Sequence, residues 1–266
     1  MTNVFTVISY NIWFDNMLTQ ERTMSLINLI QTLNPDAICL QEVRPNIYAY
    51  LINMLTNYKY HFPKKVTKSY DSAIFSKYPI RKCLDYSFNN STMGRSLLIT
   101  KIDYPYHEGG IVKRVEIVLA TTHFESLFKK VHLNKTKIEQ YSIASNLLNN
   151  LYKSYKNVIL CADTNVLQHE EGKFDEYFDK ADNWIDSWVN SGSELNRYTY
   201  DSFTNVYLNN RFPNNKYRSR IDRILFKSDN LVLQEFSMLG KRQGSIEISD
   251  HFGILSQFIV VAKKPI

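Results

Sequence analysis

Asp163-Thr164-Asn165 stands one residue, Ala162, after the apolar run Val158-Ile159-Leu160-Cys161. That run is β-branched at its start and reads as a buried strand. A carboxylate and a carboxamide two residues apart at a strand end share one side of the sheet. Taken singly, such a triplet is an Asx-type turn leaving a core strand. The same polar ending recurs elsewhere, however. Asn11 follows the run Val4–Tyr10, Glu42 follows Ala37–Leu40, His123 follows Val112–Thr121, and Asp250-His251 forms another such pair. Asp222 is an acid inside the run Arg220–Phe226.

Each position has an ordinary alternative. Glu42 could be a surface acid, His123 a satisfied core histidine, Asp222 a partner of Arg220 or Arg223, and Asp250 a helix cap. All of these would have to coincide in one chain. Carboxylates and amides without thiolates favour a hard cation with oxygen ligands, and Mg²⁺ fits best, held by one or two carboxylates while keeping waters. Zinc would need His or Cys at close spacing, which is missing.

The elements that must position these residues can be read from periodicity. A first strand spans Val4–Tyr10. Met24, Ile27 and Ile30 recur at helical spacing until Asn34-Pro35, and Ala37–Leu40 is a second strand. Pro45 opens a helix expected to reach about Tyr58. Ser72–Phe75, Ser96–Ile102 and Val112–Thr121 read as strands, the last two joined by a loop from Tyr104 to Gly110. An amphipathic helix over Lys135–Leu151 precedes the Val158 strand. Residues 166–218 are polar, aromatic and irregular, with a helical piece expected around Phe174–Trp188. Arg220–Phe226, Leu231–Leu239 and Phe252–Val261 are the last strands. Helix–strand alternation followed by longer strands predicts one α/β domain of sandwich type over residues 1–266.

The chain has 266 residues, 44% hydrophobic and 22% charged, enough for a sizeable core. Its formal charge of +6 suits a polyanionic partner. Cys39, Cys83 and Cys161 are widely spaced and read as buried free thiols. No membrane-length apolar run or secretory leader is present, so an intracellular location, nuclear or cytoplasmic, is expected. P-loop, GxGxxG, HExxH and GxSxG motifs are all missing, which removes the commonest nucleotide-binding, metalloprotease and serine-hydrolase readings.

In order along the chain, Ser9-Tyr10-Asn11, Gln41-Glu42-Val43, Thr122-His123-Phe124-Glu125-Ser126, Ala162-Asp163-Thr164-Asn165, Arg220-Ile221-Asp222-Arg223-Ile224 and Ser249-Asp250-His251-Phe252-Gly253 resemble the motifs of the endonuclease/exonuclease/phosphatase superfamily. The resemblance implies a four-layer α/β sandwich, two mixed β-sheets back to back with helices outside. It also implies Mg²⁺-dependent phosphodiester hydrolysis, with Mn²⁺ as a substitute. The His-x-Glu-Ser form at His123–Ser126 and Met93-Gly94-Arg95-Ser96 look like the branch that cleaves 5′-phosphotyrosyl bonds, a DNA-repair activity on topoisomerase adducts. Tyr200, Ile221 and Leu127 depart from the Trp, Phe and Arg of animal members of that branch, so the groove tips are expected to differ. The ubiquitin-binding module that precedes the catalytic part in those members is expected to be absent.

What the resemblance implies for roles is specific. Glu42 is the main metal ligand, with Asn11 and Asp250 beside it. Asp163 orients and deprotonates the attacking water, and Asn165 bonds a phosphate oxygen. His123 and His251 donate to phosphoryl oxygens, Asp222 orients His251, and Ser126 is a further phosphate donor. Arg95, Tyr200, Trp188 and the basic stretch Lys216–Arg220 position the strand. The expected partner is single-stranded or 5′-overhang DNA, or RNA, bearing a 5′-tyrosyl adduct, bound by a monomer. Rival readings are an abasic-site endonuclease, a nonspecific nuclease or a lipid phosphodiesterase of the same superfamily. A rival of another class is a non-catalytic nucleic-acid-binding module.

Overall fold

The computed structural model describes residues 3–126, 133–179, 182–240 and 246–262. Strands β1 (Val4–Asn11) and β2 (Ala37–Val43) flank helix α1 (Thr19–Leu33). Next come α2 (Pro45–Met54), β3 (Tyr60–Phe62), β4 (Asp71–Ser76), β5 (Ile80–Ser87), β6 (Ser96–Glu108) and β7 (Ile111–His123). Helix α3 (Leu133–Tyr155) leads into β8 (Asn157–Asp163). Short pieces follow: α4 (Glu171–Asp175), β9 (Ile185–Asp186), α5 (Ser187–Ser191), β10 (Tyr200–Asp201), α6 (Val206–Arg211) and β11 (Arg218–Ser219). Strands β12 (Asp222–Ser228), β13 (Leu231–Leu239) and β14 (Gly253–Val260) come last.

One mixed sheet has the order β13-β14-β1-β2-β4-β3 and the other β5-β6-β7-β8-β12-β9, six strands each among the described residues. Each contains one parallel pair, β1 with β2 and β7 with β8. The strand period of two decides what lies between the sheets. Val7, Cys39, Leu119, Ile159, Cys161 and Ile224 point inward and form the central core. Ile8, Tyr10, Ile38 and Leu40 point outward beneath Leu26, Ile27 and Ile30 of α1 and Leu51 of α2. Val118, Ala120, Val158 and Leu160 point outward on the other side beneath Tyr141, Ala144 and Leu148 of α3. This is the expected four-layer sandwich.

Several expectations are corrected. The stretch from Tyr104 is strand rather than loop: β6 and β7 pair as far as Glu108 opposite Ile111, turning at Gly109 and Gly110. Proline is tolerated at 105 because β5 pairs with β6 only as far as Ile102, so the missing N–H faces no partner. Helix α2 ends at Met54, short of Tyr58. The Phe174–Trp188 piece divides into α4, β9 and the start of α5. Strands β3 and β5 were not expected, β5 being a largely exposed edge strand. Cys83, on that edge, is exposed, whereas Cys39 and Cys161 are buried. Leu127 lies outside the described residues. Among the described residues no helix is long and apolar enough to cross a membrane.

Gly253 opens β14 directly against the Tyr10 ring, where an added Cβ would stand 2.4 Å from Cδ1. Tyr10 is fully buried and has nowhere to retreat. Gly253→Ala is therefore expected to destabilise the fold by about 1–3 kcal/mol through overpacking. A urea midpoint equal to wild type would contradict it.

Candidate active site

The inward positions of four strands change from apolar to polar at one end of the sandwich. On β1 the inward series is Phe5, Val7, Ser9, Asn11, and on β7 it ends Leu119, Thr121, His123. Register places His123 beside Asp163, and Asp163 beside Asp222, in one row across three strands. A polar layer underlies this row: Gln41 Nε2 donates to Thr121 Oγ1 at 2.9 Å and lies 3.3 Å from Ser9 Oγ. Asp250 and His251 come just before β14 rather than at a strand end. Because β14 runs antiparallel to β1, its start lies beside the end of β1.

Glu42 arrives differently. The register of β2 against β4 shifts between Leu40 and Val43, and Glu42 has φ +61°. This bulge turns a side chain of outward parity into the groove.

Asp163 is fully buried. Its Oδ2 accepts from Asn11 Nδ2 at 2.9 Å and lies 3.2 Å from His123 Nε2, while Oδ1 accepts from the Asn165 backbone N–H at 3.0 Å. Burial, then the neighbouring Asp222 charge, pushes its carboxyl up to about 6, against the lowering effect of His251 and Asn11. Asp222 Oδ2 is 2.9 Å from His251 Nδ1. Burial alone would depress His251, but Asp222, by charge and hydrogen bond, with Asp163 and Asp250, lifts it to about 10. His251 is therefore an imidazolium whose Nε2–H is aimed by Asp222. His123 goes the other way, held well below its usual value by burial, Arg95 and His251. Its Nδ1 has no hydrogen-bond partner, and Arg95 Nη2 stands 3.3 Å from Nε2.

Asp163, Asp222 and His251 bring one ligand atom each within 4.8 Å of the others. The Asp222–His251 contact is an ion pair, so this trio supplies its own positive charge. The Glu42–Asp250 pair does not. Burial raises the Glu42 carboxyl, and burial followed by the Glu42 charge raises Asp250 to about 6 against the opposing His251. The nearest cations, Arg211 Nη1 and His251 Nε2, both stand off at 3.9 Å from Asp250, and toward Glu42 the uncharged His123 presents Nδ1 at 3.7 Å. A buried Asp250 carboxylate raised by the charge of a partly buried Glu42 beside it suits a hard divalent cation with oxygen ligands. Asn11 is engaged at both ends of its amide, its Oδ1 accepting from Trp13 N at 3.0 Å and its Nδ2 donating to Asp163. It thus orients Asp163, and Oδ1 keeps a second lone pair for the ligand role expected of it.

The supports behind the row are built from buried polar groups. Asn165 has φ +50°, and its Nδ2 donates to the Phe124 carbonyl at 2.9 Å, turning one of its two amide hydrogens away from the groove. Lys137, buried in α3, donates to the Asn165 carbonyl and to Glu170, both at 2.7 Å. Glu125 accepts from Ser91 Oγ, from Thr92 N and Oγ1, and from Gln140 Nε2, pinning the loop that carries Met93 and Arg95. Arg22 of α1 donates to the carbonyls of Ile12, Trp13, Asp15, Met17 and Ile248, which joins the loop after Asn11 to the segment before Asp250.

His123 and Asp163 of this row form the floor of a groove of about 1070 Å³, with Asp222 behind them. Of the expected residues, Glu42, Arg95, His123, Ser126, Asp163, Asn165, Tyr200, Asp250 and His251 line it. Tyr200 sits edge-on to His251 at 4.9 Å and beside Tyr217 at 5.6 Å. Trp188 does not line the groove. Its Nε1 donates to the Ser193 carbonyl and its ring lies against Arg197 and Arg220, away from the site. Arg220 and Arg223 pair with Asp186 and Glu171, leaving Asp222 to His251.

Wall residues not read from the sequence include Phe14 and Tyr70, stacked at 4.5 Å, with Tyr207, Arg211 and Phe212. Arg95 lies over Tyr70 at 5.4 Å. Phe14 carries a signal: it closes the apolar triplet Ile12-Trp13-Phe14 that follows Asn11 with no strand or helix period to bury it.

Helix α6 brings Tyr207 and Arg211 to the wall and is fastened to residues 247–249. Asn205 Nδ2 donates to the Ser249 carbonyl, Tyr207 Oη to the Glu247 carbonyl, and Val206 N–H to Glu247 Oε2. Burial lifts the Glu247 carboxyl to about 7 despite that last bond. An acid raised on folding binds its proton more tightly in the native state. Its stabilising contribution is thus complete below about 4.5 and lost as pH rises to about 7. Glu247→Gln is expected to flatten the stability profile over that window by about 1 kcal/mol after solvent screening. Parallel profiles for variant and wild type would refute this.

Comparison with known proteins agrees with the geometry. Tyrosyl-DNA phosphodiesterase 2 of Gallus gallus is 27% identical over 268 residues, covering 97% of this chain and 67% of that protein. The Bos taurus protein of the same name is 28% identical, covering 97% and 69%. Among solved structures, D. rerio TDP2 complexed with single strand DNA product superposes with TM-score 0.80 at 22% identity, covering 96% of this chain and 98% of that one. At that identity the match speaks for the fold. The model of the endonuclease/exonuclease/phosphatase family matches residues 8–251, from the strand that delivers Asn11 to His251, and the chain belongs to that family.

Proposed function

We propose that this protein is a divalent-metal-dependent phosphodiesterase. It hydrolyses the ester between a tyrosine oxygen and the 5′-phosphate of a nucleic-acid strand, leaving a 5′-phosphate. The reading is carried by the floor of the groove, where a buried carboxylate of raised pKa, an oriented imidazolium and the Glu42–Asp250 carboxylate pair converge beneath aromatic walls. The names of the curated relatives give the same bond class.

Asp163 accepts the proton of the attacking water. Its Oδ2 is held by Asn11 and faces His123, and its raised pKa suits a base working near neutrality. His251 Nε2–H donates to a non-bridging phosphoryl oxygen, with Asp222 fixing the ring and its charge. Arg95, the neutral His123 and Ser126 line the same phosphate position. Glu42 and Asp250 would hold the cation, Mg²⁺ or Mn²⁺, which when bound supplies charge relief to the phosphate and the departing oxygen. A tyrosine phenol, of pKa about 10, leaves with little protonation. Arg95 over Tyr70, with Phe14 stacked on Tyr70, offers an aromatic and cationic seat beside that leaving oxygen.

The test is tyrosine release from a 5′-phosphotyrosyl DNA oligonucleotide with Mg²⁺, Mn²⁺ or EDTA, with an RNA version and a sugar phosphomonoester run beside it. The monoester matters because Bacteroides thetaiotaomicron mannosyl-6-phosphatase shares the fold, with TM-score 0.72 at 18% identity and coverage of 96% and 99%. A 5′-phosphate product that disappears with EDTA is expected. Turnover only of the monoester, or only of abasic DNA run as a further control, would reject the tyrosyl reading.

A further inference from the structure

The ribbon of β10 and β11 has two faces. Tyr200, Tyr217 and Ser219 face the groove, and the alternate positions Arg218 and Arg220 face away from it. On that reverse face rings and guanidinium groups alternate. Trp188 lies between Arg220 at 4.6 Å and Arg197 at 5.2 Å. Arg197 also covers Tyr198 at 5.3 Å, and Arg218 covers Tyr198 at 4.5 Å and Phe203 at 5.6 Å. None of Trp188, Arg197, Tyr198, Arg218 and Phe203 lines the catalytic groove.

The two ends of this ladder differ in charge balance. At the inner end Arg220 is buried and neutralised by Asp186 and Glu171, and Arg197 meets Glu194 at 3.1 Å. At the outer end Arg218 is exposed and, among the described residues, pairs with no carboxylate, while Phe203 is 55% exposed. Burial does not account for a solvent-facing Phe beside an open guanidinium. Rings that accept a base on their faces, spaced by cations that accept phosphates, are what a single polynucleotide strand needs. The outer end is also one residue along the chain from the groove wall, since Tyr217 faces in and Arg218 faces out.

We infer that the Arg197–Tyr198–Arg218–Phe203 face is a second binding surface for single-stranded nucleic acid, taking the nucleotides that pass out of the groove over the edge of the ribbon. This rests on the phosphodiesterase reading of the groove. Phe203 stacks a base and Arg218 pairs with a phosphate, while Tyr198, covered by Arg218 and Arg197, backs the guanidinium. The surface lengthens the footprint of the substrate without touching the reacting bond.

The experiment compares wild type, Arg218→Glu and Phe203→Ala on 5′-phosphotyrosyl DNA of about 4 and about 16 nucleotides, lengths bracketing the footprint of one compact strand-binding module. In wild type the ratio of kcat/KM, long over short, should exceed one, and either variant should cut it by about fivefold to tenfold. Binding of an unmodified strand of the longer length, read by fluorescence anisotropy, should weaken by a similar factor. Arg218→Glu should also lower its salt dependence. Both side chains are exposed, so melting temperatures should stay at the wild-type value. A length ratio and a long-strand affinity equal to wild type in both variants would overturn the inference. No turnover on either length would reject the phosphodiesterase reading instead, and the anisotropy comparison would still decide the reverse face.

Discussion

Asp163→Asn is expected to lower kcat on a 5′-phosphotyrosyl oligonucleotide by about 10²- to 10⁴-fold while KM stays within about twofold. The amide keeps the volume and can still accept from Asn11, but it cannot take a proton from water. It also sets a donor against either the Asn165 N–H or the Asn11 amide, since Oδ1 and Oδ2 both accept in the native site. The same substitution should not weaken the fold at alkaline pH. An acid whose carboxyl is lifted to about 6 stabilises the native state only while protonated, below about 3.8, and that contribution is gone once pH has risen through 6. At pH about 8 the ionised Asp163 is thus a cost to folding, and Asn removes it. Steady-state kinetics with a melting curve at that pH form the check. A loss under tenfold would remove Asp163 as base, and a lower melting temperature would show that its charge is compensated in the native state.

Arg22→Met is expected to carry the largest stability effect, about 3–5 kcal/mol. Arg22 is 4% exposed and its guanidinium reaches the carbonyls of Ile12, Trp13, Asp15, Met17 and Ile248, with the Trp13 ring 4.5 Å from it. Methionine fills the shaft of the site but leaves those carbonyls without donors, each a desolvation cost. Arg22→Lys should recover only part of the loss, because three ammonium hydrogens cannot span a planar fork of five. The carbonyls lie on two segments, one following Asn11 and one preceding Asp250. Loosening them should therefore also reduce activity in whatever fraction remains folded. Urea unfolding decides it: a shift below about 1 kcal/mol, well under the cost of orphaned buried acceptors, would mean that water replaces the guanidinium.

How far each part was legible follows from where its information sits. Asn11, His123 and Asp163 could be read because each closes an apolar run, and period two puts them on the inward face with Val7, Leu119 and Cys161. Arg22 is legible in the same way: it stands four residues before Leu26 and eight before Ile30, on the apolar stripe of α1. A cation in that register is a buried cation. Glu42 shows the reverse. Its orientation depends on a bulge and a positive φ that no local pattern announces. In the Tyr104–Gly110 stretch a proline suggests a loop, and only the early end of β5 makes that position an open edge. Trp188 was placed with the strand-binding residues on type alone, yet the short turns between β9 and β11 carry it to the reverse of the ribbon.

The sequence by itself determined the chemistry available to this protein. Carboxylates, amides and imidazoles at the ends of buried strands are written in residue type and local period, and their ordered motifs span the length that the family model matches. Tertiary structure decided how those groups share protons and charge. Asp222 belongs to His251 rather than to the arginines on its own strand, Asn11 donates to Asp163, and burial with its cationic neighbours holds His123 toward the neutral form where Asp222 holds His251 toward the charged one. It also built the groove walls, setting Phe14 against Tyr70 and Tyr200 against His251. The reason is range. Strand and helix periods are set by neighbours a few residues apart, whereas pKa values and ring contacts depend on groups brought within ångströms by the whole fold.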